Sequence, residues 1–373
     1  MIDRRKVLRD AAILIAAGAA AACAAPRAAV RTAASGTIAW EHPVDGGIRG
    51  VRYGTGTVMV ETDAGLTGLE GRTGRELWRL PIATPGIGRR SCTWDHAFVV
   101  CGTEPDAPVQ RAVAVDSVSG ERKWVFDAPE GVTLAGVFGV RDGVLYAVAS
   151  GPGNGTREAW AVDTRTRTVR WQVPCDAEGL YVPDAGSLVY SQSPGSGGDL
   201  TALDAGTGAT VWSRAGDSSV SATTIESGLV GGAVLATDGA HVISGLDPNT
   251  GAALWNTPAL SYPADTLFGA GDTYYLCDGS KLHAMRPGGD VAPLWSLTVS
   301  DRDKEFKAGG YAVTGAVYLL AAGALRAIDP HTSKVRWMRA IPDVDGATVP
   351  FAVGDTHCYV ESGDGAALLA VER

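Results

Sequence analysis

The sequence predicts an all-β fold: an eight-bladed β-propeller of four-stranded antiparallel blades, closed by the N-terminal strand joining the C-terminal blade. Three observations predict it. A hairpin motif, Ala202-Leu203-Asp204-Ala-Gly-Thr207-Gly208-Ala-Thr-Val-Trp212, recurs along the chain. Its tryptophans, Trp40, Trp78, Trp124, Trp171, Trp212, Trp255, Trp295 and Trp337, are separated by 38, 46, 47, 41, 43, 40 and 42 residues. That is the length four short strands and their turns require. Finally, the two ends hold complementary halves of one motif. Ser35-Gly36-Thr37-Ile38-Ala39-Trp40 lacks a first half, and Ala370-Val371-Glu372 lacks a second. Joined in space they complete one blade, and the ring has no open ends of the kind an unclosed repeat array leaves.

Taken in order, residues 1–23 read as an export signal. Asp3-Arg4-Arg5-Lys6-Val7-Leu8-Arg9 resembles a twin-arginine signal, with Arg4 and Arg5 as the pair. The apolar run Ala11–Ala22 spans 12 residues, short of the roughly 20 a spanning helix needs. Ala20-Ala21-Ala22-Cys23 looks like a lipobox with Cys23 as the lipidated residue; the alternative is plain cleavage after an Ala-x-Ala site. Residues 24–34 read as a flexible tether, and 35–373 as the propeller. The placement expected is outside the cytoplasmic membrane, lipid-anchored to its outer side, or periplasmic or extracellular.

Within the motif, a strand ends in Asp, whose carboxylate caps the NH groups of a turn. Four residues on, Gly supplies the left-handed conformation of a G1 bulge, and the next strand sets Trp at a fixed distance. Copies run from Asp116 through Gly120 to Trp124, from Asp247 through Gly251 to Trp255, and from Glu70 through Gly74 to Trp78. Asp163…Trp171 and Asp329…Trp337 keep the spacing but carry Arg167 and Ser333 in place of Gly. A looser copy, Ala284-Met285-Arg286…Trp295, is one residue longer and lacks the Asp. Each blade then reads as strand A, turn, strand B, loop, strand C, motif turn and strand D. Thr84–Gly88 and Thr348–Val353 are expected in strand A positions.

The pattern Ala-x-Asp-x-x-Thr-Gly-x-x-x-Trp resembles the PQQ-like propeller repeat, the repeat of quinoprotein dehydrogenases and of the BamB-type lipoprotein of bacterial outer-membrane assembly. The resemblance spans residues 36 to 373 and implies the fold; function on such scaffolds lives in grafted sites. In this family a working dehydrogenase carries adjacent cysteines beside its cofactor, acidic and amide calcium ligands, and a catalytic Asp. No two cysteines are adjacent here, so no cofactor, metal site or catalytic residue is expected. A reduced PQQ-dependent enzyme, or a sensor holding a small ligand in the central channel, are the alternatives.

The remaining chemistry is sparse. With 45% hydrophobic and 20% charged residues and 49 Gly, the composition suits one β-rich domain. The formal charge is −9, and the first 22 residues hold four basic and two acidic side chains. Their removal leaves about −11, which disfavours nucleic acid as a partner. The six histidines, His42, His96, His241, His283, His331 and His357, show no metal-ligand spacing and read as surface or turn residues. Gly151-Pro-Gly153-Asn-Gly155 enters no helix and reads as a loop rather than a phosphate cradle. In Asp301-Arg-Asp303-Lys-Glu305 the interleaved cations oppose calcium. Trp160 reads as core. Cys92 and Cys101 flank a turn and either pair across a hairpin or, like Cys277 and Cys358, fill small buried positions.

What stands out is loop length. The B–C connection is a tight turn in later blades but enlarged in three consecutive ones, at Thr103–Gln110, Ser150–Thr156 and Gln192–Gly198. B–C and D–A connections share one face of a propeller, so these loops make a ledge, with the D–A loop Ser300–Lys307 across the ring. Loops on a rigid scaffold are where binding commonly sits. Asp106, Arg111, Asn154, Arg157, Glu158, Arg302 and Lys304 are the candidate partner-binding residues. The expected function is a non-catalytic scaffold that docks a protein or peptide partner at the cell envelope. The chain is expected to be monomeric and to meet the membrane only through its lipid.

Overall fold

Each Asp-to-Trp motif folds as a hairpin, and each hairpin forms the outer half of a blade. The computed structural model describes residues 36–82, 91–94, 96–102, 110–151, 157–175, 179–183, 186–193, 199–215, 231–237, 242–257, 264–278, 281–287, 293–299, 309–313, 315–341 and 350–373. Residues Ser35–Arg373 make one compact unit. Among the described residues the regular structure is all strand.

The strands fall into eight antiparallel sheets. Blade 1 comprises Ile48–Gly54, Thr57–Thr62, Gly65–Glu70 and Glu76–Leu80. Blade 2 comprises Ser91–Trp94, Ala97–Gly102, Arg111–Asp116 and Arg122–Asp127, and blade 3 Thr133–Arg141, Val144–Ser150, Arg157–Asp163 and Thr168–Pro174. Blade 4 comprises Gly179–Tyr181, Leu188–Gln192, Leu200–Asp204 and Thr210–Arg214. Blade 5 shows three strands among the described residues, Val234–Thr237, Ile243–Leu246 and Ala253–Asn256. Blade 6 comprises Ala264–Ala270, Thr273–Asp278, Lys281–Met285 and Trp295–Thr298, and blade 7 Gly309–Val313, Ala316–Ala321, Ala324–Ile328 and Val335–Ala340. Blade 8 joins Phe351–Val353, His357–Glu361 and Ala367–Glu372 to the N-terminal strand Ile38–Pro43. The fold is therefore the eight-bladed propeller the tryptophan spacing predicts. Strand A of blade 2 differs from expectation: it is Ser91–Trp94, because His96, at φ 59°, turns the chain so that Trp94 pairs with Ala97. Residues 83–90 lie outside the described ones.

The core is a series of layers between adjacent blades. Met59, Leu66 and Trp78 of blade 1 pack on Phe98, Val100 and Val113 of blade 2. Phe126 of blade 2 meets Trp160 of blade 3 edge-on at 6.4 Å. Trp160 is thus core, 3% exposed.

The motif turns are nearly identical. The Oδ1 atoms of Asp116, Asp163, Asp204, Asp247 and Asp329 each accept the backbone NH groups two and three residues ahead, at 2.8–3.1 Å. The NH four residues ahead returns to the backbone carbonyl of the Asp, as Gly208 to Asp204 at 2.8 Å. Gly74, Gly120, Gly208 and Gly251 take φ of +69 to +75°; Arg167 and Ser333 hold the same conformation at 60° and 58°. The register shift falls later than the glycine, immediately before each Trp. In blades 2, 3 and 7 the residue before Trp is a cation that folds back on the motif carboxylate. Lys123 lies 3.6 Å from Asp116, Arg170 2.7 Å from Asp163, and Arg336 2.7 Å from Asp329.

The tryptophans link blades. Each of five indoles donates to the carbonyl just after the motif acid of the next blade: Trp40 to Gly71, Trp78 to Ser117, Trp171 to Ala205, Trp212 to Pro248 and Trp295 to Pro330, at 2.8–3.1 Å. Gly74, Gly120, Gly208 and Gly251 lie against the ring of the preceding blade's Trp, where an added Cβ would come within 2.5–2.7 Å of it. In the blade that follows Trp124 this turn carries Arg167 instead, and the buried Nε1 of Trp124 has no partner among the described residues; Ser333 stands in the turn that follows Trp295, whose bond is kept.

Ring closure rebuilds one motif from the two chain ends. The Gly36 NH donates to the Glu372 carbonyl, and the Glu372 NH to the Thr37 carbonyl, both at 2.9 Å. Blade 1 makes the same exchange within one hairpin, where the Gly74 NH donates to the Glu70 carbonyl and the Glu70 NH to the Arg75 carbonyl, both at 2.8 Å. Gly36, φ +83°, packs on Trp337 as its counterparts pack on theirs.

One histidine departs from expectation. His357 is 7% exposed, buried because it opens strand B of blade 8 opposite Glu372, with its Nδ1 2.8 Å from the Thr356 hydroxyl. Burial lowers its pKa, with Glu372 opposing and Arg72 adding to the shift. The unfolded chain therefore takes up this proton first, and stability falls as pH drops below about 6.5. The motif carboxylates act at lower pH. Asp116 is held low first by the Ser119 NH, Asp204 by the Thr207 hydroxyl and NH, and Asp247 by the Thr250 NH. Their contribution is full above about pH 4 and is lost as pH falls through the depressed folded values. Burial raises the pKa of Glu361, which works in the opposite direction. Thermal midpoints measured against pH should thus decline in two stages. His357→Gln should flatten the stage below pH 6.5 and spare the one below pH 4; an unaltered upper stage would refute this assignment.

Candidate functional site on the loop face

The B–C connections occupy 63–64, 279–280 and 322–323 in blades 1, 6 and 7, 238–242 and 362–366 in blades 5 and 8, and 103–110, 151–156 and 193–199 in blades 2, 3 and 4. Those of blades 5 and 8 are longer than the tight turns expected there, so the contrast is sharpest for blades 2 and 4. Of the candidate residues, Arg111, Arg157 and Glu158 are described; Asp106, Asn154, Arg302 and Lys304 lie outside the described residues, as do Arg4, Arg5 and Cys23.

Arg111 and Glu158 lie at the start of strand C in neighbouring blades, each five residues before its motif Asp. Arg111 pairs across to strand D, its Nε 2.9 Å and its terminal nitrogen 2.8 Å from Asp127 Oδ1. Glu158 Oε2 accepts the Trp160 indole NH at 2.8 Å, so this carboxylate is oriented by the core. Arg157 pairs with Ser150, and its carbonyl accepts the Cys175 NH at 2.8 Å. Phe126, the neighbour of Asp127 in sequence, meets the Trp160 ring whose indole NH Glu158 accepts. Just before Arg111, Gln110 has a buried Oε1 without a partner among the described residues. Sequence reasoning missed Asp127 and Gln110; the register that sets Arg111 opposite Asp127 is the signal that finds the first. Elsewhere on this face Arg49 grips Asp63 through two 2.8 Å bonds, near the half-buried Glu361.

The cysteines are packing residues. Cys277 and Cys358 are fully buried in the layers around blades 6 and 8. Cys92 is a free thiol that faces Val99, which leaves it unpaired with Cys101, whose side chain lies outside the described residues. Burial pushes both Cys92 and Cys358 up to about 12. A quinone cofactor with calcium, as the dehydrogenase resemblance implies, does not fit these residues. Among those described, no group of three His, Cys, Asp or Glu side chains could hold a metal ion, and the cysteines are dispersed between blades. Among the described residues, no helix is long and apolar enough to cross a membrane.

The model of the family described as outer membrane protein assembly factor BamB matches residues 108–267, from the foot of strand C in blade 2 into strand A of blade 6. No curated protein matches. Among solved structures, BamB from Moraxella catarrhalis is 16% identical, with 90% of this chain and 99% of that chain covered and a TM-score of 0.61. The computationally designed Ika8 protein is 13% identical over 90% and 99%, at 0.67. A quinohemoprotein alcohol dehydrogenase from Pseudomonas putida HK5 is 13% identical over 90% and 76%, at 0.61. At these identities the likeness is one of fold. With its repeated Asp-to-Trp hairpins and its ring of eight blades, the chain is a PQQ-like β-propeller repeat protein.

Proposed function

We propose that the chain is a non-catalytic scaffold, exported and tethered at the cell envelope through lipid on Cys23, which docks a protein or peptide partner on its loop face. The observation that supports this most is the coincidence of two features in blades 2 to 4. These blades carry the enlarged B–C connections, and blades 3 and 4 with the second half of blade 2 lie within the segment similar to the BamB family. Docking there would use Arg111, Arg157 and Glu158 together with Asp106 and Asn154, and Arg302 and Lys304 from across the ring.

The test is capture of the partner crosslinked in the native envelope. Arg157→Ala combined with Glu158→Gln should reduce capture about tenfold, the loss of roughly 1.4 kcal/mol. Gln is chosen because its amide oxygen can still accept the Trp160 indole, so the melting temperature should hold. Undiminished capture by the double variant would remove the ledge from consideration. The dehydrogenase-like structure supports a second reading, a reduced quinoprotein. The scaffold reading expects no thermal shift on adding PQQ and calcium; a rise of several degrees would favour the enzyme.

A further inference from the structure

The chain enters the propeller on the face opposite the loops. Gly36, the first described residue, holds the motif-turn position of blade 8, and the strand Ile38–Pro43 runs from there to the connection 44–47. That connection is of the D–A kind and belongs to the loop face. The entry point therefore lies on the other face, with the A–B turns and the Asp-to-Trp motif turns. At about 3.3 Å per residue, the six residues of this strand separate the two faces by roughly 20 Å. Thirteen positions separate Cys23 from Gly36, a reach of at most about 45 Å.

Charge divides between the two faces in the same sense. Among the described residues, the connections of the loop face carry Asp45, Asp63, Glu130, Asp199 and Asp364 and no basic side chain, whereas those of the motif-turn face carry six acidic and six basic ones. In the blades on either side of the entry, the motif turns present Lys334 and Arg72, both exposed. Val335 and Ile38, the first residues of the outer strands of blades 7 and 8, are 41% and 39% exposed. Between Cys23 and Gly36 the sequence holds Arg27 and Arg31 and no acidic residue. Cations set beside exposed apolar side chains suit the headgroup layer of an anionic bilayer, which repels the carboxylates of the far face.

We propose that the motif-turn face is the membrane-facing side of the anchored chain, with Arg72 and Lys334 against anionic lipid headgroups and the loop face held toward the aqueous phase. This rests on the reading that Cys23 carries lipid. Two independent observations meet in it: where the chain enters the ring, and which face carries the surplus of carboxylates. The consequence for docking is that a partner of the loop face approaches from solvent rather than along the bilayer that holds the anchor.

The test uses the chain purified from membranes and reconstituted on vesicles of phosphatidylglycerol and phosphatidylcholine that carry an energy-transfer acceptor on their headgroups. A donor dye is coupled through p-azidophenylalanine in place of Thr332, on the motif-turn face, or of Gly47, on the loop face; both positions are exposed. Transfer from position 332 should be at least twofold more efficient than from position 47. The double variant Arg72→Glu, Lys334→Glu should bring that ratio toward one, while the protein still floats with the vesicles and keeps its melting temperature. Equal transfer from the two positions, greater transfer from position 47, or a ratio indifferent to the double variant overturns the proposal. A parent chain that fails to float with the vesicles overturns the lipid reading instead, and the orientation falls with it.

Discussion

A chain that begins at Val44 is expected to lose about 4 kcal/mol or more of stability relative to one that begins at Ala24, and to melt on the order of 10 °C lower. The residues removed from the propeller, Gly36–Pro43, join three blades. Ile38–Pro43 pairs with Ala367–Val371 in blade 8. Trp40 reaches forward to blade 1, donating to Gly71 at 3.1 Å and packing against Gly74. Behind, Gly36 seats Trp337 of blade 7 and its carbonyl accepts Arg339 Nε. Truncation therefore exposes one layer of core, bares the edge of Ala367–Glu372 and leaves the Gly71 carbonyl with the Tyr359 hydroxyl as its remaining donor, at 3.0 Å. Because the strand is held by non-covalent contacts, a synthetic peptide spanning residues 35–43 should restore much of the midpoint when added in trans. Calorimetry of the two chains with and without peptide decides the matter. A truncated chain that melts with its parent would mean that the composite blade does not close the ring.

The blade count and the closure were legible because they are written as spacing. A residue that must meet its neighbour at a fixed height recurs at a fixed interval, and Trp40 without a preceding Asp announces a motif whose other half is elsewhere. The buried position of Trp160 was legible for the same reason, since it sits in an alternating strand. Contacts across strands were less so. The pairing of Arg111 with Asp127 depends on a register set by the shift before Trp124, which no local pattern displays. His357 reads as a turn residue by its neighbours Asp355 and Thr356, yet it opens a strand and is buried by blade 8's own third strand.

Gly208→Ala should cost about 2–4 kcal/mol. Three losses combine. At φ +75° an L-residue pays roughly 1–2 kcal/mol for the left-handed conformation. The new Cβ would lie 2.7 Å from Trp171 Cε3 and 3.1 Å from Val173, so the indole must leave its seat. Moving it endangers the 2.9 Å bond to the Ala205 carbonyl, worth about 1 kcal/mol. The chain contains two natural comparisons. Arg167 holds the equivalent position with a Cβ, and the buried Nε1 of Trp124 in the blade before it has no acceptor among the described residues, whereas Ser333 also carries a Cβ there and Trp295 keeps its 2.8 Å bond to Pro330. Gly208→Asn separates the contributions, because Asn tolerates the left-handed region while still presenting a Cβ. Chemical denaturation should rank the parent above Asn, and Asn above Ala. If Asn matched the parent, the indole seat would not depend on an empty Cβ position, and conformation alone would account for glycine in these turns.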